Sequence, residues 1–260
     1  MTFGCRIDTI SEGNMKIFFC ADGRNEIAAQ SLRACIKRYG QAELAQAEVV
    51  VVLGGDGFML KTLQALLNYQ TPVFGLNFGH VGYLLNHYAP DDPLPDRICK
   101  ADQLKWTPLE VNAETFLGKP VQNYAFNDFS LMRQNPQAAR LSVNITDEKN
   151  QNIVSETVFG DGIIVATPMG SHGYYASAQG KPLPIQGGVI GVKGVCCKQD
   201  FNPIVSDLSQ ISVAPQEPEK RPIHLDCDGK TRFSNIAVAT IHAAPAKAQT
   251  LLVERGKERF

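Results

Sequence analysis

An apolar run at residues 49–53 leads directly into the segment Gly54-Gly55-Asp56-Gly57. Five consecutive valine or leucine side chains predict a strand that is covered on both faces, as in a parallel α/β sheet. Residues 58–68 place Met59, Leu60, Leu63, Leu66 and Leu67 at helical spacing. We therefore expect residues 54–57 to form a turn between a buried strand and a helix.

A glycine turn of this kind is suited to binding phosphate. Backbone N–H groups and the positive end of the following helix attract phosphate oxygens, and glycines allow a ligand to approach the backbone closely. Asp56 would repel phosphates unless it binds a metal or orients a hydroxyl that attacks phosphorus. The alternative is a tight turn in which Asp56 caps the helix. Because short glycine motifs often match by chance, this motif alone leaves both interpretations open.

The surrounding pattern predicts two domains of different class. Strands at 16–20, 49–53 and 72–76 alternate with helices at 24–39 and 58–68, which indicates a parallel sheet with its ligand sites beyond the carboxyl ends of the strands. Three prolines within 88–95 indicate a domain edge. Short apolar segments at 104–114, 140–146, 153–158, 163–166 and 211–213 then predict a second, mostly β domain. The fold class is therefore α/β plus β.

The expected domain bounds are 1–95 for the N-terminal α/β domain and 96–260 for the mostly β domain. The last residues are expected to pack back on the N-terminal domain. Residues 1–14 are expected to be an extension that precedes the first strand. Arg6, Asp8 and Glu12 interrupt any apolar core, so this segment is not expected to be a signal peptide.

Composition excludes several classes of function. The chain has 260 residues, is 44% hydrophobic and 20% charged, and carries a formal net charge of -1, so neither nucleic acid nor an anionic membrane surface is an expected partner. The sequence contains no transmembrane stretch. The seven cysteines form no CxxC pair, which favours reduced thiols in a cytoplasmic protein. The five histidines show no metal-ligand spacing, and no bound structural metal is expected.

Three further clusters could carry function. The segment Asn77-Phe78-Gly79-His80-Val81-Gly82-Tyr83-Leu84 again places glycines after a predicted strand. Asn127-Asp128 could form hydrogen bonds to the two neighbouring hydroxyls of a ribose, although this dipeptide is also common in plain turns. The third cluster, at residues 160–174, begins with Gly160-Asp161-Gly162 and continues to Thr167-Pro168-Met169-Gly170-Ser171, which is long for a simple connection.

Taken together, these clusters resemble the NAD kinase family of bacterial type. In that family a GGDG turn, an NxGxxG(F/Y)L segment, an Asn–acid pair and a DGxxVxTPxGSxxY block recur in this order. GGDG alone is shared with lipid kinases and phosphofructokinases, but the TPxGSxxY block separates this chain from them. The resemblance is good from residue 49 to 174 and continues more weakly to Asp228-Gly229.

The resemblance implies an ATP-dependent enzyme that phosphorylates the 2′-hydroxyl of the adenosine ribose of NAD to give NADP. Asp56 would be the catalytic residue, and Gly54, Gly55 and Gly57 would line the phosphate turn. Mg²⁺ is expected with ATP, and the protein is expected to be a homo-oligomer, either a dimer or a tetramer. The other residues expected to bind substrate are Asn77, Tyr83, Asn127, Asp128, Arg140, Asp161, Ser171, His172, Gly173, Tyr174 and Ser177.

The chain departs from the family pattern at several positions. Asp128 replaces a common Glu, and His172-Gly173 replaces a common Thr-Ala before Tyr174. Two alternative functions are a non-catalytic sensor that binds NAD or NADP, and a lipid or sugar kinase that shares only the GGDG turn.

Overall fold

The computed structural model describes residues 15–83 and 85–254, which form two compact units. Of the described residues, unit 1 comprises those up to Trp106 together with those from Lys247 to Glu254, and unit 2 comprises Thr107–Ala246. The extension predicted for residues 1–14 lies outside the described residues.

Unit 1 is an α/β unit, as the alternating pattern predicts. Its elements up to Trp106 are β1 (Ile17–Ala21), α1 (Glu26–Tyr39), β2 (Val49–Gly54), α2 (Asp56–Ala65), β3 (Val73–Asn77), α3 (Leu94–Lys100) and β4 (Asp102–Trp106), with a 3₁₀ turn at Leu44–Gln46. Strands β1, β2 and β3 pair in parallel. Their apolar side chains form one core with α1 and α3.

Unit 2 is built almost entirely from strands. They are β5 (Leu109–Thr115), β6 (Pro120–Ala125), β7 (Asp128–Arg133), β8 (Ala139–Thr146), β9 (Asn152–Gly160), β10 (Gly162–Ala166), β11 (Val189–Val195), β12 (Ile204–Ser206), β13 (Gln210–Pro215), β14 (Ile223–Cys227), β15 (Thr231–Ser234) and β16 (Ile236–Ala243). A short helix, α4 (Tyr174–Ser177), and 3₁₀ turns at Met169–His172 and Pro245–Lys247 complete the chain before the last strand, β17 (Gln249–Val253).

Two antiparallel sheets share the core of unit 2. Among the described residues, one has the order β12-β11-β10-β7-β14-β15 and the other β6-β5-β16-β13-β8-β9. Buried side chains from both, such as Phe129 of β7 and Val143 of β8, belong to a single hydrophobic cluster. Strand β17 belongs to unit 1, where it lies between β3 and β4 in a sheet whose described order is β1-β2-β3-β17-β4. The predicted α/β plus β fold class is confirmed.

Candidate active site

The glycine turn of unit 1 lies between a fully buried strand and a helix. Every residue of β2 is buried, and Gly54 is its last residue. Gly55 is the N-cap of α2, and its carbonyl oxygen accepts hydrogen bonds from the N–H groups of Phe58 at 2.9 Å and Met59 at 3.0 Å. Asp56 therefore lies in the first helical turn, so the helix begins earlier than the spacing of its apolar residues predicts. The interpretation of Asp56 as the helix cap is wrong, because Gly55 occupies that position.

The loop after β3 fixes the Asp56 carboxylate. The Gly82 N–H donates a hydrogen bond of 3.0 Å to Asp56 Oδ2. Gly82 has a φ of +71°, and a Cβ at this position would lie only 2.3 Å from Asn77 Nδ2. Asn77 Oδ1 in turn accepts a 2.8 Å hydrogen bond from the Gly79 N–H. Asn77 thus orders the loop whose backbone holds Asp56.

The loop after β3 also lies directly against the turn after β2. The Phe78 N–H donates to Gly54 O at 2.8 Å. A Cβ built on Gly79 would lie 3.0 Å from Gly55 Cα, so both backbones approach closely. The structure therefore brings together Gly54, Gly55, Asp56 and Asn77 of the predicted set. Gly57 and Tyr83 lie exposed at the surface of unit 1.

The predicted Asn–acid pair of unit 2 lies at the start of β7. Asp128 is buried, and this burial, followed by the negative charge of Asp228, raises its pKa to about 7. Gly173 lies beside the pair, since a Cβ there would be 4.0 Å from both Asn127 Nδ2 and Asp128 Oδ2. Asn127, Asp128 and Gly173 are thus brought together, and the small residue at 173 keeps space open beside an amide and a carboxyl.

The segment after β10 folds into the 3₁₀ turn and α4. Ser171 Oγ donates to Pro168 O at 2.7 Å and lies 3.3 Å from His172 Nδ1. Burial raises the pKa of Tyr174, and negative charge at Cys196 and at Asp128 raises it further. Tyr174 therefore lies within electrostatic reach of the Asn127–Asp128 pair.

Two cavities of unit 2 divide the remaining predicted residues. Tyr174 and Ser177 line a cavity of about 610 Å³. Arg140, exposed on β8, lines a different one of about 530 Å³. Asp161, between β9 and β10, forms an ion pair of 2.7 Å with Arg133 Nε. The negative charge of Asp161 also raises the pKa of Tyr174, and both cavities are lined by Lys198, Gln199 and Asp200, so these residues lie in neighbouring parts of unit 2.

Sequence reasoning missed residues that hold the Asn–acid pair from both sides. Asp228, at the turn between β14 and β15, accepts hydrogen bonds from the backbone around Asn127, and Thr167 binds the same backbone from the other direction. Asp228-Gly229 is visible in the sequence as a turn dipeptide. No feature of the neighbouring sequence indicates that Asp228 binds residues about a hundred positions away.

The structure also limits metal and membrane interpretations. Within residues 15–83 and 85–254, no group of three or more His, Cys, Asp or Glu side chains could hold a metal ion. Over the same described ranges, every helix is too short or too polar to cross a membrane.

Comparisons with known proteins agree with both units. The ATP-NAD kinase N-terminal domain matches residues 14–92, and the ATP-NAD kinase C-terminal domain matches residues 127–254. An NAD kinase of Cereibacter sphaeroides is 34% identical over 236 residues, which are 88% of this chain and 89% of that protein. An NAD kinase of Brucella suis is 32% identical over 254 residues, which are 95% and 94% of the two chains.

Two solved structures share the fold. Yeast NADH kinase complexed with NADH has a TM-score of 0.77 at 16% identity and covers 94% of this chain and 84% of its own. An NAD kinase from Archaeoglobus fulgidus in complex with ATP has a TM-score of 0.71 at 20% identity, with coverages of 95% and 96%. The family matches over both units and the curated relatives named NAD kinase place the chain in a class of phosphotransferases. Within that class, the chain belongs to the ATP-NAD kinase family.

Proposed function

We propose that this chain transfers the γ-phosphoryl group of ATP to the 2′-hydroxyl of the adenosine ribose of NAD, giving NADP, and that Asp56 accepts the hydroxyl proton. One observation carries the role of Asp56. Its carboxylate lies in the first turn of α2, where the buried β2 ends, and the Gly82 N–H holds one of its oxygens. This is a fixed base beside backbone N–H groups that favour phosphate.

The proposed reaction is an in-line displacement at phosphorus. The 2′-oxygen forms a bond to the γ-phosphorus as its proton passes to Asp56, and the bond between the γ-phosphorus and its bridging oxygen breaks to release ADP. A general base contributes most when it is held within hydrogen-bond reach of the proton that it removes. The 3.0 Å hydrogen bond from Gly82 restricts the Asp56 side chain and so supports this role.

The residues of unit 2 support binding of NAD through its ribose. Asn127 offers an amide and Asp128 a carboxyl, and together they can accept from and donate to two neighbouring hydroxyls. Gly173 leaves room beside them. Tyr174 and Ser177 line a cavity of about 610 Å³, which is within the range of ligand sites. These residues support a substrate that contains ribose. Asp128 would offer the same carboxyl group as the Glu that is common in the family, on a side chain that is one methylene shorter.

Mg²⁺ is proposed to arrive with ATP. Proteins usually bind Mg²⁺ largely through the phosphates of the substrate, so the ion is expected to be held mainly by ATP. When bound, the ion would offset the negative charge of the phosphoryl group. The protein residues of unit 1 supply the backbone donors and the base.

Cytoplasmic localisation and a homo-oligomeric state, either a dimer or a tetramer, complete the proposal. The localisation is supported by the described cysteines, which are free thiols, and the oligomeric state by the resemblance to the family. Light scattering coupled to size-exclusion chromatography measures the oligomeric state directly.

NADP formation by the purified protein tests the proposed activity. The reaction contains NAD, ATP and Mg²⁺, and an NADP-specific dehydrogenase reports the product. We expect the parent protein to form NADP and Asp56→Asn to lose turnover by about 10²- to 10⁴-fold, the usual contribution of a general base. NAD should still stabilise Asp56→Asn against heat, since the variant leaves unit 2 unchanged.

Asp22→Asn is the matched control. Asp22 directly follows β1 at the same edge of the parallel sheet, but its carboxylate pairs with Arg24 at 2.9 Å. We expect Asp22→Asn to keep the parent turnover. Retention of most of the turnover by Asp56→Asn would exclude the general-base role. A parent that binds NADP but forms none would instead indicate a sensor.

A further inference from the structure

The Asp228 carboxylate holds the backbone of three consecutive residues. It accepts hydrogen bonds from the N–H groups of Phe126 at 3.0 Å, Asn127 at 2.7 Å and Asp128 at 3.2 Å. The Asp228 N–H in turn donates to Asp128 O at 3.0 Å. One side chain thus fixes the start of β7, where the Asn–acid pair lies. A carboxylate that accepts several backbone N–H bonds forms strong, charge-assisted contacts.

Thr167 fixes the opposite side of the same backbone. Its Oγ1 donates to Phe126 O at 2.7 Å, and its N–H donates to Asn127 O at 2.9 Å. Gly170 lies so close that a Cβ there would be 2.2 Å from Asn127 O. The N–H groups of residues 126–128 therefore face Asp228, and the carbonyl oxygens of Phe126 and Asn127 face Thr167. Because these N–H groups and carbonyl oxygens are all hydrogen-bonded, Asp228 and Thr167 determine the directions in which the side chains of Asn127 and Asp128 point.

We propose that Asp228 is a positioning residue for NAD: by holding the backbone of residues 126–128, it aims the side chains of Asn127 and Asp128 at the ribose hydroxyls. This inference rests on the proposed function of the Asn–acid pair and deepens it. Asp228 acts on the substrate through these two residues, whose backbone N–H groups donate to its carboxylate.

Asp228 also acts on the charge of Asp128. Burial is the first cause of the raised pKa of Asp128, and the negative charge of Asp228 is the second. Among the described residues, further titratable groups near the pair are Tyr174, Cys227 and Lys230, and the charges of Asp161 and Asp226 act on Tyr174. An ionised Asp128 accepts hydrogen bonds from both ribose hydroxyls, so NAD should bind less well as the pH falls through about 7. Loss of the Asp228 charge should move that transition to lower pH.

Asp228→Asn tests this role by steady-state kinetics between pH 5.5 and 9, a range that spans the pKa given to Asp128. We expect the KM for NAD to rise at least about tenfold, because a small misplacement of a binding group has large effects. The kcat at saturating NAD and the KM for ATP should change much less. The pH at which the KM for NAD begins to rise should shift to a lower value. This shift reports the lost charge, whereas a higher KM for NAD with little change in kcat and in the KM for ATP reports lost positioning. A purely structural role would not produce that split.

Asp147→Asn is the matched control in the same unit. Asp147 also holds backbone N–H groups with its carboxylate, those of Lys149 at 2.9 Å and Gln151 at 2.8 Å, but in the hairpin between β8 and β9. We expect it to leave the KM for NAD and its pH profile unchanged. If Asp228→Asn matches Asp147→Asn in both measurements, the positioning role is overturned.

Thr167→Val keeps the inference testable if Asp228→Asn does not fold. It removes the 2.7 Å bond from Thr167 Oγ1 to Phe126 O without changing any charge. We expect a higher KM for NAD with an unshifted pH profile, and an unchanged KM would overturn the inference. The activity of the parent protein distinguishes a failure of the proposed function from a failure of the role proposed for Asp228. No NADP from the parent would refute the proposed function, whereas an active parent with unaffected variants would refute only the role of Asp228.

Discussion

Gly82→Ala is expected to destabilise unit 1 and to weaken catalysis together. Gly82 has a φ of +71°, and a non-glycine residue in such a conformation costs about 1–3 kcal/mol. The added Cβ would also lie 2.3 Å from Asn77 Nδ2 and 2.4 Å from Asn77 Cγ. Relieving an overlap of this kind by shifting neighbouring groups typically costs about 1–3 kcal/mol more. Both costs apply, so we expect a total loss of about 2–6 kcal/mol in the free energy of unfolding.

Catalysis should fall because the same shift displaces the hydrogen bond to Asp56. The Gly82 N–H holds Asp56 Oδ2 at 3.0 Å, and Asn77 orders the loop through the Gly79 N–H. Moving Asn77 away from the new methyl group disturbs both contacts. We expect kcat to fall by at least about tenfold, since a catalytic group must be held within a narrow geometry.

Urea unfolding monitored by tryptophan fluorescence measures the stability of unit 1. Trp106 is the one tryptophan of the sequence and is buried in β4. Gly40→Ala is the matched control in the same unit. Gly40 has a φ of +80°, but nothing lies within 4 Å of a Cβ at that position. It should therefore show the backbone cost without the overlap, and it should keep its activity. Equal stabilities of the two variants, or a fully active Gly82→Ala, would refute the reasoning.

Two further predictions follow from the burial of titratable groups. Burial raises the pKa of Asp128 from an ordinary 3.8 to about 7, so the stability that this group contributes is present at low pH and lost as the pH rises through about 7. Between pH 5 and 8 that loss is about 3 kcal/mol, at about 1.36 kcal/mol per pH unit below about 7, and Asp128→Asn should abolish it. Urea unfolding at pH 5 and 8 measures the change, and an equal change in both proteins would contradict this prediction. Among the described cysteines, the exposed Cys196 should react with a thiol reagent in the native state, whereas the buried Cys35 and Cys227 should react only on unfolding. Mass spectrometry of labelled peptides identifies the sites, and native labelling of Cys227 would refute the expectation.

Local signals predicted the parts of the fold that depend on neighbouring residues. The apolar run of β2 and the helical spacing after it placed the glycine turn correctly, because burial on both faces and a 3.6-residue period are visible within a short window. The exact start of α2 was missed, since Asp56 and Gly57 carry no apolar periodicity. The placement of β17 between β3 and β4 depends on pairing across most of the chain, which no local pattern encodes.

The candidate site was also predictable only where a local motif indicates it. Asp56 and Asn127-Asp128 were identified from motifs and their order along the chain. The groups that hold them were missed, because the Gly82 N–H is a backbone donor without any side-chain signature. Asp228 was missed as a positioning group for a different reason, since its partners are separated from it by about a hundred residues. Motifs therefore predicted the groups that would meet substrate, while their supports required coordinates.

The course of the chain through unit 1 has a consequence for folding during synthesis. Unit 1 is closed by β17, which pairs with β3 in parallel and with β4 in antiparallel fashion, whereas unit 2 consists of the continuous segment Thr107–Ala246. On the ribosome, all of unit 2 emerges before residues 249–253 are available. The sheet that carries the glycine turn therefore lacks β17 until unit 2 has left the ribosome. The glycine turn comes early in the sequence, but the sheet that carries it is completed only after unit 2 has been synthesised.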